Sequence, residues 1–178
     1  MKPPVPSLLV VADSHGDAAA LTRIFSWARR RDLYALAFLG DGLQDLAYAM
    51  ARADFHPNVA AVRGNNDWGA DEPDFRTIEF AGQRFLLTHG HRHGISSSCA
   101  GVLALAKQEE ADAVLHGHTH RMYQEDFRGC FVLCPGSPSR PRGNSPAGFA
   151  TIDCPPDKWF EPHFWALEGN RITECFLA

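Results

Sequence analysis

The sequence predicts an α/β fold in which two packed sheets carry helices on their outer faces. Strand and helix patterns alternate in the first part of the chain, whereas short strands separated by Gly and Pro dominate the last part. Short polar motifs also follow directly after most of the predicted strands. If these strands end on one edge of a sheet, the polar side chains meet there, and we expect one shared pocket.

The composition is that of an ordinary globular protein, and we expect a single domain over residues 1–178. Hydrophobic residues make up 45% of the 178 residues and charged residues 21%, which suffices for a full core. The net charge is −4 and the arginines are scattered, so nucleic acid is not expected as a partner. The five cysteines lack a Cys-x-x-Cys spacing, which favours neither a disulfide framework nor a thiolate zinc site.

No apolar run is long enough for a signal sequence or a membrane span. We therefore expect a cytoplasmic protein that has no membrane partner.

The first part of the chain reads as strands and helices in alternation. Residues 7–12 form an apolar run typical of a strand buried on both faces. Residues 18–30 carry apolar side chains at helical spacing after Asp17, a suitable N-cap. The order continues with a strand at 33–39, a helix at 43–52 and a strand at 59–62.

The second part begins with a predicted hairpin. Its strands, at 75–80 and 84–88, are separated by Ala81-Gly82-Gln83. A helix from about residue 97 to 110, capped by Ser96 or Ser97, and a strand at 114–115 follow. From residue 122 onward we expect antiparallel strands without helices, at 131–133, 149–152 and 171–177.

Five polar motifs carry the chemistry of the predicted pocket. They are Asp13-x-His15, Gly40-Asp41, Gly64-Asn65-Asn66-Asp67, His89-Gly90-His91 and Gly117-His118-Thr119-His120. Taken singly, an Asp or Asn beside Gly is usually a turn residue, and a lone His is usually structural. Turn chemistry does not explain why five such motifs follow strands in this order, so we interpret them as one site for two divalent metal ions and a phosphate ester.

The residue types indicate which ions would bind. Nitrogen and oxygen ligands without sulfur suit Mn, Fe, Zn, Ni or Co rather than Ca or Mg, and we expect Mn. A carboxylate can bridge two cations ~3.5 to 4 Å apart, and Asp41 is our candidate for that role. Asn65 offers a neutral carbonyl oxygen, and imidazole nitrogens come from His89, His116 and His118.

These motifs resemble the five blocks of the calcineurin-like metallophosphoesterases. The resemblance spans residues 13–120, and Pro135-Gly136-Ser137 and Pro141-Arg142 are similar to a loop of the small bacterial and archaeal phosphodiesterase branch. It implies a four-layer α/β/β/α sandwich of two mixed sheets flanked by helices. It further implies one ion held by Asp13, His15, Asp41 and His118, and a second held by Asp41, Asn65, His89 and His116.

The resemblance also implies an activity, the hydrolysis of a small soluble phosphodiester. In the family a hydroxide shared by two divalent ions attacks phosphorus in line. Many members carry His after the metal-binding Asn, whereas this chain has Asn66, which cannot act as an acid. The candidate catalytic residues are Asn66, Asp67, His91 and His120, and the candidate substrate contacts are Asn66 and Arg142. His91 and His120 are candidate proton donors, and Asp67 is expected to orient a neighbour.

Two other functions stay open at this level. A phosphomonoesterase or nucleotidase would use the same metal ions and differ only in the preferred ester. A protein-binding scaffold, as the retromer subunit of similar fold is thought to be, predicts eroded ligands, and none of the seven expected ligands is lost here. Phe160, Phe164 and Trp165 would form a partner-binding patch, a homo-oligomer contact or part of the core.

Overall fold

A computed structural model of the protein describes residues 5–156 and 158–173. Within these ranges the chain forms eleven strands, three α-helices and one short 3-10 helix. The helices are α1 (Ala18–Arg29), α2 (Leu43–Ala53) and α3 (Ala100–Gln108), and the 3-10 helix is His91–His93. The strands are β1 (Ser7–Val11), β2 (Ala35–Phe38), β3 (Asn58–Ala61), β4 (Phe75–Phe80), β5 (Gln83–Thr88), β6 (Ala113–His116), β7 (Met122–Asp126), β8 (Phe131–Pro135), β9 (Gly148–Asp153), β10 (Glu161–Ala166) and β11 (Arg171–Ile172).

The strands form two mixed sheets. The first has the order β11-β10-β9-β1-β2-β3, in which β1, β2 and β3 are parallel and β9 runs antiparallel to β1. The second has the order β4-β5-β6-β8-β7, in which β5, β6 and β8 are parallel. We expected only antiparallel strands in the last part of the chain, but β8 runs parallel to β6. The chain first passes through edge strand β7 and then returns beside β6.

The alternation of side chains along β1 shows how the layers are built. Leu8 and Val10 face the core between the two sheets, which also contains Phe85 and Leu87 of β5. Leu9 and Val11 point the other way and pack under α1 and α2. On the far side, Val102 and Ala106 of α3 cover Leu86 and Val114 of the second sheet. The predicted α/β/β/α order of four layers is confirmed.

Several element boundaries differ from the predictions. α3 begins at Ala100 rather than near residue 97, and its N-cap is Cys99, because the preceding residues form turns. The hairpin turn has two residues rather than three, since Phe80 pairs with Gln83. The sequence did not indicate β7 and β10, and of the strand predicted at 171–177 the structure describes only β11, because residues 174–178 lie outside the described ranges.

The aromatic residues of the proposed patch belong largely to the core. Phe160 and Phe164 are buried, at 3% and 7% exposure. Trp165 is half-buried and donates from Nε1 to the hydroxyl of Thr151. These three residues therefore form no exposed apolar patch. The four cysteines within the described ranges are free, and none of the helices there has the length and apolar character needed to span a bilayer.

Candidate metal centre

The polar motifs meet at the carboxyl ends of the central strands. Asp13 follows β1, Asp41 follows β2, and His89 follows β5. The chain turns sharply at this edge, since Asp13, His15, Asp41, His118 and His120 all have positive φ, between 46° and 68°. Such φ values are costly for residues other than Gly, and they persist where the surrounding structure enforces a functional geometry.

One group of ligand atoms forms around Asp13. The Nε2 atoms of His15 and His120 lie 3.0 Å apart. Nε2 of His120 is 3.3 Å, and Nε2 of His15 is 3.7 Å, from Oδ1 of Asp13. That carboxylate oxygen is buried and has no hydrogen-bond partner in the protein. Two imidazole nitrogens and an unpaired carboxylate oxygen in one place form a group that fits a cation.

A second group forms around Asp41. Nε2 of His89 lies 3.4 Å from Oδ2 of Asp41, 3.1 Å from Oδ1 of Asn65 and 3.9 Å from Oδ1 of Asp13. The same Oδ2 of Asp41 is 3.7 Å from Nε2 of His15 in the first group. One carboxylate oxygen of Asp41 thus lies between the two groups.

The outer nitrogens of two histidines fix which ring atom faces the centre. Nδ1 of His89 donates to the carbonyl of Leu39 at 2.7 Å, and Nδ1 of His120 donates to the carbonyl of Arg140 at 2.7 Å. Because a carbonyl only accepts, each Nδ1 carries a proton, and Nε2 is the atom that can bind a metal. Metal-binding histidines are usually held in this way. The donor set and the unpaired oxygen therefore fit divalent ions with nitrogen and oxygen ligands.

Two of the predicted histidines lie elsewhere than expected. The structure brings His120, rather than His118, to Asp13 and His15. The ring of His118 instead meets the ring of His89 edge-on, with 5.1 Å between the centroids.

His116 joins neither group among the described residues. It is the last residue of β6, where Leu115 faces the core between the sheets and Val114 faces α3. By strand alternation His116 points to the α3 side of the sheet, but it lies close enough to the metal centre for the charges of Asp13 and His89 to affect its pKa. Its Nδ1 donates to the carbonyl of Gly117 at 2.9 Å, and its buried Nε2 has no partner.

The electrostatics of the centre couple Asp41 to His89. Burial raises the pKa of the Asp41 carboxyl, but the hydrogen bond and charge of His89, with two hydrogen bonds from Asn66, hold the pKa well below its usual range. Burial lowers the pKa of His89, but the hydrogen bond to Asp41 and the charges of Asp13 and Asp41 outweigh it and raise the pKa. Burial lowers the pKa of His116 to about 4, so this ring is neutral at pH 7.

Asn66 and Asp67 act on Asp41 and its loop. Asn66 donates to both carboxylate oxygens of Asp41, from its backbone N at 2.7 Å and from Nδ2 at 2.6 Å. The carboxylate of Asp67 accepts four backbone N–H groups, from Asp41, Gly42, Leu43 and Gly64, at 2.6 to 2.9 Å. Asp67 thus ties the loop after β2 to the loop after β3.

The remaining candidates lie at the margin of the centre. His91 is half-buried, and its ring centroid is 5.3 Å from that of His89. Burial lowers the pKa of His91, and the charge of His89 lowers it further. Arg142 is exposed and lines a neighbouring cavity rather than the two groups of ligand atoms, while its backbone N donates to the carbonyl of His120.

The sequence interpretation missed the residues that hold the Asp13 loop. The hydroxyl of Ser137 donates to the carbonyl of Asp13 at 2.7 Å, and the hydroxyl of Ser139 donates to the carbonyl of Ser14 at 2.8 Å. Asp45 accepts from the hydroxyl of Ser14 at 2.6 Å. The Pro-Gly-Ser sequence was visible, but nothing in it indicates that its serine reaches a loop more than a hundred residues earlier.

Comparisons with known proteins agree with this geometry. Residues 7–157 match the family model described as the calcineurin-like phosphoesterase superfamily domain. The probable metallophosphoesterase YsnB of Bacillus subtilis is 29% identical over 171 residues, covering 94% of this chain and 95% of YsnB. Phosphodiesterase YfcE of Escherichia coli is 29% identical over 166 residues, covering 82% of this chain and 86% of YfcE.

Solved structures show the same fold. An uncharacterized protein of Streptococcus pneumoniae, described as a predicted phosphoesterase, has a TM-score of 0.81 at 24% identity and covers 96% of this chain and 95% of its own. Vps29 of Entamoeba histolytica, solved with Zn²⁺, has a TM-score of 0.73 at 19% identity and covers 88% of this chain and 90% of its own. The family model spans most of the sequence and the resemblance of the five motifs is confirmed, so this chain belongs to the calcineurin-like phosphoesterase superfamily.

Proposed function

We propose that the protein is a metal-dependent phosphodiesterase that hydrolyses a small phosphodiester with two divalent ions bound. The observation that carries the proposal is the position of Oδ2 of Asp41, which lies 3.7 Å from His15 in one ligand group and 3.4 Å from His89 in the other. A shared carboxylate between two ligand groups is the arrangement of a two-metal hydrolase.

The geometry supports a specific division of ligands. We assign one ion to Asp13, His15, Asp41 and His120, and the other to Asp41, Asn65, His89 and His118. This assignment departs from the one implied by the sequence resemblance, because His120 takes the place expected for His118, which moves to the second ion in place of His116. The mixed nitrogen and oxygen set favours Mn as the first ion to test, with Fe, Zn, Ni and Co as the alternatives.

When bound, two such ions lower the pKa of water and neutralise the non-bridging oxygens of the ester. The protein contributes rigid placement. Asn66 holds both oxygens of Asp41, Asp67 holds the backbone on which Asp41 sits, and Nδ1 contacts hold His89 and His120 in one orientation. Asn66 binds Asp41 instead of offering a proton, which leaves His91, beside His89, as the candidate for proton transfer to the leaving oxygen.

The lack of an acid at position 66 favours esters with a weakly basic leaving group, and a more basic leaving group would depend on His91. A leaving group of low basicity departs without protonation, whereas an alkoxide needs a proton. The proposed preference for diesters is supported by YfcE, a relative over 82% of this chain that is named a phosphodiesterase. The second candidate, a phosphomonoesterase or nucleotidase, would use the same ligands.

The test is turnover of bis-p-nitrophenyl phosphate and p-nitrophenyl phosphate by the full chain loaded in turn with each of the five metals. We expect faster turnover of the diester, and no turnover by the matched Asp41→Asn protein. Faster monoester turnover would favour the second candidate. No turnover of either ester with any metal would overturn the enzymatic proposal and favour a scaffold function. The likeness to Vps29 shows a shared fold and is not itself support for that function.

Cellular setting follows from the sequence only. We propose a cytoplasmic enzyme that binds a small substrate and no nucleic acid. Whether it forms a homo-oligomer is measured by analytical sedimentation.

A further inference from the structure

A cavity of about 720 Å³ lies beside the metal centre, on the α3 side of the second sheet. Its walls are residues 95–99 before α3, parts of 116–123 after β6, and residues 142–145. Its size falls in the ~300 to 1,000 Å³ range of small-molecule sites. Thr119 lines it between His118 and His120, and Arg142, also in its wall, donates from its backbone to the carbonyl of His120 at 3.0 Å. The cavity and the metal centre thus share one piece of backbone.

The charged side chains that line this cavity are of one sign, although the carboxylate of Glu125 lies behind its wall, where it accepts a hydrogen bond from the hydroxyl of Tyr123. Arg121 and Arg142 line it, both are exposed, and no ion pair is formed by either within the described residues. Among the described lining residues there is no Asp or Glu. The two arginine segments are close, since a Cβ built on Gly143 would lie 3.5 Å from Nε of Arg121. Two guanidinium groups without carboxylate partners favour an anion.

The start of α3 adds to this positive end. The helix has nine residues, its N-cap Cys99 lines the cavity, and the Cys99 side chain makes no capping hydrogen bond. The backbone N of Ala100 donates to the hydroxyl of Ser98 at 3.4 Å. The unsatisfied N–H groups of a first turn and the helix dipole attract negative charge.

His116 adds an unpaired hydrogen-bond acceptor to the wall of the cavity. It lines the cavity, it is 2% exposed, and its Nε2 is buried without a partner. Because Nδ1 donates to the carbonyl of Gly117, Nε2 bears a lone pair and can only accept. A buried acceptor without a donor costs free energy that a ligand hydroxyl would recover.

We propose that this cavity binds the alcohol half of the substrate, and that this half is a polyhydroxy alcohol carrying its own phosphate group. A ligand hydroxyl donates to Nε2 of His116, and the phosphate lies between Arg121, Arg142 and the first turn of α3. The proposal rests on the proposed phosphodiesterase function and names the substrate class of that same site.

The test is calorimetric titration of the full-length, Mn-loaded protein with ribose 5-phosphate, with ribose and inorganic phosphate as partial probes. The Arg121→Gln/Arg142→Gln protein is compared with wild type, and Arg52→Gln on the distant helix α2 is the matched control for loss of an exposed arginine. We expect the double variant to raise the Kd for ribose 5-phosphate at least about tenfold, since charge-assisted hydrogen bonds are lost. We expect Arg52→Gln to leave the Kd unchanged.

Equal Kd values for wild type and the double variant would overturn the proposal. So would ribose that binds as tightly as ribose 5-phosphate, or inorganic phosphate whose arginine-dependent binding is as tight as that of ribose 5-phosphate. Because binding is measured without turnover, the two proposals fail separately. Hydrolysis of bis-p-nitrophenyl phosphate together with unchanged Kd values would remove only the cavity proposal. Arginine-dependent binding without hydrolysis of any ester would remove only the enzymatic one.

Discussion

Asn66 donates a hydrogen bond to each oxygen of the Asp41 carboxylate, from Nδ2 to Oδ2 at 2.6 Å and from the backbone N to Oδ1 at 2.7 Å. Oδ2 is also the oxygen that lies between the two ligand groups. Asn66, at the position where the resemblance led us to expect a proton donor in many family members, therefore orients Asp41 instead.

We predict that Asn66→Ala weakens Mn²⁺ affinity or lowers diester turnover by roughly 10 to 100-fold, the usual cost of losing a partner that orients a metal ligand. The measurements are a Mn²⁺ titration by calorimetry and kcat on bis-p-nitrophenyl phosphate. Asn58→Ala, at an exposed position of β3, controls for a general effect of removing an amide. Unchanged Mn²⁺ affinity and unchanged kcat in Asn66→Ala would show that the side-chain hydrogen bond from Asn66 to Asp41 is needed for neither metal binding nor turnover.

Asp41→Asn is predicted to lose both ions, because Asp41 is assigned to both ligand groups. Metal content per chain, measured by elemental analysis after dialysis, should fall from about two to near zero. Asp71→Asn, which alters an exposed carboxylate, should keep both ions. Retention of one ion by Asp41→Asn would refute the bridging role.

His116 and His120 are predicted to behave differently when each is replaced by Ala. His120→Ala should lose the ion held near Asp13 and His15, because its Nε2 lies 3.0 Å from that of His15. His116→Ala should keep both ions and lose affinity for ribose 5-phosphate, because His116 lines the cavity. Metal content and calorimetry distinguish these outcomes. Loss of an ion in His116→Ala, with both ions kept in His120→Ala, would restore the ligand set implied by the sequence.

The stability of the metal-free protein is predicted to depend on pH through His116. Burial lowers the pKa of His116 to about 4 in the folded state from an ordinary value of 6.5. The unfolded state therefore binds the proton first, so stability is full above pH 6.5 and falls as the pH drops towards 4. The shift corresponds to a loss of about 3 kcal/mol across that window.

Urea unfolding in the presence of a chelator at pH 7 and pH 4.5 measures this loss. His116→Gln should show a smaller decrease in unfolding free energy than wild type. His56→Gln, which alters a histidine with a 76% exposed side chain, should behave like wild type. A decrease in His116→Gln equal to that of wild type would contradict the assignment.

Particular residues show what the sequence could predict. The buried runs of β1, β2 and β5 and the polar residues after them were identified because apolar runs ending in Asp or His are a strong local signal. β7 was missed because Glu125 and Asp126 at its exposed end hide the strand pattern, and β10 was missed because it contains Pro162.

The assignment of His116 and His118 as ligands came from the family resemblance and stays a prediction, whereas the structure places His120 beside Asp13 and His15. Residues two apart face the same side only while a strand continues, and this strand ends at His116. Positive φ at His118 and His120 then turns the later side chains back to the metal centre. No local pattern in the sequence reports that turn.

The four N–H groups bound by Asp67 bear on how the centre is assembled. They come from the loop after β2, which carries Asp41, and from the loop after β3, which carries Asn65. Hydrogen bonds within the protein therefore hold the two loops together. Ions bound here, as proposed, would therefore enter a site whose backbone is already in place, and their binding would require little rearrangement of the backbone. Selection among competing metals would then depend on the fixed spacing of the site rather than on the flexibility of the chain.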